Sequence, residues 1–219
     1  MGEGTGVRFR LLRNRTTVRI IITIMGKGAE TRDRIVEQAL RLASRDGLEG
    51  LTIGSLSSEL GLSKSGLFAH FGSKDELQLQ VLKAAVERFE EAVVQPALAT
   101  PRGEPRLRSF FARWLAWMDD PAKPGGCLFI AATVELDDRP GPQRDFLVES
   151  QERRLAFLTR AVRIGIEAGH FSADLDPEQL AFEIDAIALG YHQSRRLLRD
   201  PKAALRAHNA FDRLINASR

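Results

Sequence analysis

The sequence predicts an all-α protein of about nine helices, a small N-terminal group followed by a larger helical body. Three observations carry that prediction. Apolar residues return at helical spacing from Thr31 almost to the C-terminus. Capping residues and glycine or proline stops punctuate the pattern at helix-sized intervals. No segment sustains the period-two alternation that a strand needs, and no internal repeat is visible.

The elements follow in order. Ile35, Val36, Ala39, Leu40, Leu42 and Ala43 share one face of a first helix that Gly47 stops. Thr52 caps a short second helix with Ile53, Leu56 and Leu60 inward, closed by Gly61. Ser63 caps a third, Lys64 to Phe71, closed by Gly72. Ser73 to Glu76 reads as a capping box, with two acids at the positive end of a fourth helix. Its stripe is Leu77, Val81, Leu82, Ala85, Val86, Phe89 and Val93, and Pro96 is expected to close it. The next helix covers roughly 106–119 and is broken by Pro121, Pro124, Gly125 and Gly126. A short element at 127–136 and a turn at 137–142 lead into a long helix ending at Ala168. Asp176-Pro177 and Asp200-Pro201 are start signals for the last two helices, 177–199 and 201–217.

Composition bounds the function. Of 219 residues, 43% are apolar and 28% charged, which fits a globular protein and neither a disordered nor a fibrous one. The single Cys127 cannot form an internal disulfide or build a thiolate zinc site alone, and it reads as a small buried residue. No apolar run approaches the ~20 residues of a membrane span, so a cytoplasmic location without membrane contact is expected. The net charge of +3 is misleading. Residues 1–24 carry five arginines against Glu3, a net +4, so residues 25–219 sum to −1. Bulk charge therefore gives no argument for nucleic acid. Residues 1–28 lack a usable period and contain five glycines. They read either as a flexible basic arm or as a leader upstream of a start at Met25.

One stretch is more informative. Residues 51–72 are two short helices joined by Gly61-Leu62-Ser63, the spacing of a helix-turn-helix, which holds its second helix out toward a major groove. Residues 31–77, and above all the string GLSKSGLFAHFGSKDEL at 61–77, closely resemble the DNA-binding domain of the TetR/AcrR family of bacterial transcriptional repressors. The resemblance covers about a fifth of the chain. It implies a DNA-binding head at 29–75 and an effector-binding and dimerisation body at 76–219.

Residue chemistry supplies the expected contacts. Ser63, Lys64, Ser65 and Gly66 form the first turn of the third helix, whose positive end and N–H groups suit phosphates and groove edges. Lys64 can reach a guanine or a phosphate, Ser65 can read a base edge, and Gly66 allows close approach. Thr52 and Lys74 are expected phosphate contacts, and His70 stands where the resemblance implies proximity to the DNA backbone. Phe68 departs from the family, which has a tyrosine there, so only packing or a sugar contact is left to it. In any helical protein Thr52, Ser63 and Ser73 would be caps and the lysines solvated charges. Leu56, Leu60, Leu62, Leu67 and Phe71 read as core.

The body carries its own expectations. Aromatic density peaks at Phe110, Phe111, Trp114, Trp117 and Met118, on an apolar arc too wide for one neighbour. Part of that arc is expected to line an effector pocket, with Phe129, Thr133 and Phe157 opposite. Walls with so few charges favour a hydrophobic or aromatic effector; a fully packed core is the bland alternative. Ile184, Ile187, Tyr191, Phe211 and Ile215 on the last two helices are expected at a homodimer interface. No catalytic motif, metal-ligand spacing or cofactor loop is present, so an enzyme is not expected. The combined reading is a repressor that binds a double-stranded palindromic operator and is released by a small-molecule effector. The competing reading is a helical adaptor without DNA binding.

Overall fold

The computed structural model describes the backbone of residues 15–219 and the side chains of residues 31–219. Helix α1 (Arg15–Gly50) begins well before Thr31, where the apolar pattern starts. From Arg15 onward, the segment read as an arm therefore has helical backbone; the rest of that segment lies outside the described residues. Residues 18–23 are mostly β-branched and give no amphipathic stripe, so the pattern misses them. Extending a helix already nucleated needs no stripe, because each added residue gains a backbone bond. Gly47 breaks α1 near its end at φ 78°, ψ 173°, a conformation side-chain-bearing residues avoid. A Cβ there would also lie 1.9 Å from a Glu135 carboxylate oxygen.

The short helices α2 (Ile53–Leu60) and α3 (Lys64–Phe71) follow, joined by Gly61 in the left-handed conformation. Helix α4 (Lys74–Phe89) passes through a π-helical turn (Glu90–Val94) into α5 (Gln95–Leu98) as one rod. Pro96 was expected to end this helix and does not. The Gln95 N–H bonds to the Glu90 carbonyl, one residue beyond the α-helical partner, and this widened turn accommodates the proline ring. Ser73 caps α4 as expected, but Glu76 turns its carboxylate to Gln80, so the reciprocal half of the capping box is missing. The body continues with α6 (Glu104–Met118), α7 (Leu128–Leu136), α8 (Pro142–Glu167), α9 (Pro177–Arg196) and α10 (Ala203–Ala217). Counting the π-containing rod once gives nine helical bodies among the described residues, and none of those residues forms a strand. Asp176 caps α9 by accepting from the Glu178 and Gln179 N–H groups, whereas Asp200 only shapes the turn before α10.

Two apolar cores meet along the α4 rod. The first joins Ile35, Leu42, Leu56, Leu67, Phe71, Leu77 and Val81 with Leu128, Ala132 and Leu136 from α7. The second is built on Phe110, Phe111, Leu158, Leu180, Ile184, Phe211 and Ile215, and Phe89, Val93 and Ala97 of the rod belong to it. Helix α7 thus packs into the head although it lies in the body by sequence. The Asp119–Cys127 loop adds a polar tie between the two halves. The Ser44 hydroxyl accepts from the Gly125 N–H at 3.2 Å and donates to the Gly126 carbonyl at 3.3 Å. Tyr191 and Arg195 of α9 bond to Asp119 at the start of the loop, and Arg196 to the Pro124 carbonyl beside Gly125.

Candidate functional site

Helix α3 turns one face to solvent because the other is fastened down. Leu67 and Phe71 are buried, and burial of side chains of this size contributes roughly 1.5–3 kcal/mol each. At about 100° per residue, Lys64, Ser65 and Phe68 then share the outer arc. Lys64 and Ser65 are exposed and Phe68 is 50% exposed. Lys64 has no hydrogen-bond or ion-pair partner among the described residues. Without a hydroxyl, Phe68 can give a partner no hydrogen bond and acts through the surface of its ring.

Other predicted contacts are already engaged within the protein. The Ser63 hydroxyl accepts from the Gly66 N–H at 3.1 Å, so this donor of the first turn is not free for a phosphate. The Thr52 hydroxyl accepts from the Ser55 N–H at 3.0 Å while the Thr52 N–H donates to the Ser55 hydroxyl at 3.1 Å, forming a true capping box. His70 is half-buried on the other flank of α3, with its ring 6.3 Å from that of Phe71. Lys74 departs furthest from expectation. Its ammonium donates to the carbonyl and carboxylate oxygens of Glu49, both at 3.1 Å, while Arg139 holds the other carboxylate oxygen at 2.7 Å. The Lys74 hydrogen bond, with Arg139 adding, keeps the Glu49 carboxyl below its usual range. Lys74 thus ties α4 to the end of α1 instead of standing free. Leu62, read as core, is 37% exposed because it sits at the tip of the turn.

In the body, a cavity of about 600 Å³ opens between α4, α6, α7, α8 and α9. Five of the eight predicted pocket residues line it: Phe110, Trp114, Phe129, Thr133 and Phe157. The other three do not. Phe111 stacks on Phe211 at 4.1 Å and 5° as core, Met118 is buried, and Trp117 lies under the Lys123 ammonium at 3.5 Å in a separate cleft. Sequence reasoning missed Phe89, which meets Phe110, Trp114, Trp117 and Phe129 edge-on at 5.6–6.4 Å. It also missed the polar part of the wall. Arg154 of α8 pairs with Asp185 of α9, bonds Gln151, and lies 4.4 Å from the Trp114 ring centre. The cavity is therefore largely apolar, with one partly buried ion pair at its edge.

The residues expected between subunits face inward instead. Ile184, Tyr191, Phe211 and Ile215 are buried within one chain, and Ile187 packs against the same core. An apolar stripe shows that a face is covered, not which chain covers it. The apolar side chains left exposed around these helices are Phe182, Leu189, Leu197, Leu198 and Leu205.

The order of parts is now fixed: a helix-turn-helix head with a polar face on its second helix, then a helical body holding an aromatic cavity. Residues 35–81 match the family described as bacterial regulatory proteins, tetR family, and residues 103–211 match the tetracyclin repressor-like C-terminal domain. The chain belongs to the TetR family of transcriptional regulators. TetR-family proteins are DNA-binding regulators, not enzymes. Among relatives, an uncharacterised helix-turn-helix transcriptional regulator of Bacillus subtilis, YezE, is 25% identical over 173 residues, covering 78% of this chain and 86% of its own. A TetR transcriptional regulator from Chloroflexus aurantiacus has a solved structure that superposes with a TM-score of 0.76 at 26% identity, covering 87% of this chain and 94% of that one. AibR, solved in complex with isovaleryl coenzyme A and operator DNA, shares the fold with a TM-score of 0.65 at 20% identity, over 85% and 97% of the two chains. No helix among the described residues is long and apolar enough to cross a membrane.

Proposed function

We propose that this TetR-family protein is a ligand-responsive, cytoplasmic repressor that binds a palindromic operator as a homodimer and is released by a small, largely apolar effector. The observation that carries the reading is the exposed Lys64–Ser65–Phe68 face of α3, with Lys64 unpaired among the described residues and the Ser65 hydroxyl 3.1 Å from that of Ser63, set on a head whose core reaches into the cavity-bearing body through α7. Lys64 is the reader or phosphate anchor, Ser65 a base-edge contact, and Phe68 a sugar contact. Thr52, Ser63 and Gly66 position the helix, while His70 and Lys74 lie at its margins. AibR supports the reading as a protein of the same fold held with both an acyl ligand and operator DNA.

Two recognition helices must stand about 34 Å apart, or a multiple of it, to enter successive major grooves on one side of a duplex. The exposed Phe182, Leu189, Leu197, Leu198 and Leu205 supply the apolar surface for a two-fold contact through α9 and α10. An effector among Phe89, Phe110, Trp114, Phe129 and Phe157 shifts operator affinity by binding one head spacing better than the other. The Arg154–Asp185 pair offers it one polar contact. The adaptor reading loses ground because the head, residues 35–81, matches a family of bacterial regulatory proteins.

The test is a screen of apolar compounds against the full chain, reading tryptophan emission and gel shift together. Compounds that quench emission and release operator at matching concentrations support the reading. Quenching that never changes operator affinity would separate the cavity from the switch.

A further inference from the structure

A second cavity, of about 740 Å³, lies between α1, α4 and the Asp119–Cys127 loop, and neither the operator face nor the aromatic cavity accounts for it. Its floor is apolar and comes from both halves of the protein: Leu40 of α1, Ala85 of α4, Trp117, and Leu128 of α7. Phe129 lines both cavities, so the two share that ring as a wall. The rim is charged. Glu37 of α1 pairs with Arg88 of α4, and Asp120 pairs with Lys123 inside the loop. Arg41 and Glu91 also line the cleft and have no partner among the described residues.

These charges are balanced in number, but they do not offer equal grips. The unpaired Glu91 could meet a cation, but the aromatic face that would hold one best, that of Trp117, is already covered by the Lys123 ammonium at 3.5 Å. An anion meets the unpaired Arg41, and Arg88 beside it is held only by an ion pair in which both side chains are about half exposed, at 47% and 52%. Such pairs yield readily. Guanidinium groups also hold carboxylates and related anions by paired hydrogen bonds.

We propose that this cleft is a second ligand site, for an apolar molecule carrying one anionic group, with its body on the Leu40–Trp117–Leu128 floor and its anion against Arg41 and Arg88. Helix α1 of the head forms one wall, and the loop tied to Ser44 forms another. Occupancy therefore bridges head and body, and changes operator affinity from a place other than the aromatic cavity.

The full chain is titrated with two fluorescent probes, anionic anilinonaphthalene sulfonate and uncharged phenylnaphthylamine. Ala92 lines this cleft from an exposed position and Thr133 lines the aromatic cavity from another, so phenylalanine at either fills one void without disturbing the core. The proposal expects Ala92→Phe to weaken sulfonate binding about tenfold or more and Thr133→Phe to leave it in place. Arg41→Ala should weaken the sulfonate and not the uncharged probe. Sulfonate binding that survives Ala92→Phe, or is lost only with Thr133→Phe, overturns the site. An equal effect of Arg41→Ala on both probes overturns the anionic ligand. Because Thr133→Phe reads the aromatic cavity separately, failure here leaves the effector reading standing.

Discussion

The Lys74 ammonium lies 3.1 Å from both a carboxylate oxygen and the carbonyl oxygen of Glu49, joining the start of α4 to the end of α1. Lys64, ten residues earlier on the exposed face of α3, has no comparable partner among the described residues. The two lysines should therefore respond differently to removal. Lys64→Ala is expected to cost more operator affinity than Lys74→Ala and to reduce the salt slope by about one ion. Gel shifts across a salt series check this; equal losses would mean that Lys74 leaves Glu49 to clamp the DNA.

The Asp119–Cys127 loop passes close enough to α1 that only glycine fits at 125. A Cβ there would lie 1.2 Å from the Ser44 carbonyl oxygen, and backbone cannot swing away as a side chain can. Gly125→Ala should lower unfolding free energy by about 2 kcal/mol or more, at the upper part of the range for overpacking. Urea unfolding measures it. Wild-type stability in this variant would mean that the loop is not seated against Ser44.

How much of this was legible in the sequence depends on how local the signal is. Thr52, Ser63 and Asp176 cap helices as read, because a cap is made by residues two or three positions apart. The head was legible for the same reason, its turn and recognition helix lying within residues 51–72. The cavity was only partly legible. Aromatic density pointed to Phe110 and Trp114, but Phe89 looks like any other member of an apolar stripe. Arg154 and Asp185 are 31 residues apart on different helices, and no spacing rule joins them. Periodicity also could not say that Ile184 and Phe211 are covered by their own chain. The pairing of Lys74 was not legible because its partner Glu49 lies 25 residues upstream.

Thr52 is a cap before it is anything else. Its hydroxyl is engaged by Ser55 on two sides, so Thr52→Ala should cost about 1 kcal/mol of stability in the absence of DNA. Denaturant melts of the DNA-free protein decide the matter. An unchanged midpoint, with reduced operator affinity, would assign the hydroxyl to phosphate alone.

His192 gives the protein an acid-sensitive term. Burial, with nearby Arg196 adding, holds its imidazole below the ordinary value of 6.5, and its Nε2 has no hydrogen-bond partner among the described residues. The unfolded chain therefore takes up a proton at higher pH than the folded chain does. Stability present above about pH 6.5 is lost as pH falls through the lower folded value. The carboxylates held low, such as Glu49 and Asp120, lose their contribution only at more acidic pH. Thermal melts from pH 7 to 5 should show a decline that His192→Gln flattens, and an identical decline in the variant would place its cause elsewhere.

In the proposed dimer two copies of α3, each presenting Lys64, Ser65 and Phe68, read one palindromic site. Footprinting of the full chain on the DNA flanking its own gene tests this most directly. Two protected half-sites are expected, with centres about 34 Å apart or at a multiple of it, both lost in Lys64→Ala. Protection of a single half-site, or a footprint that Lys64→Ala leaves intact, would contradict it.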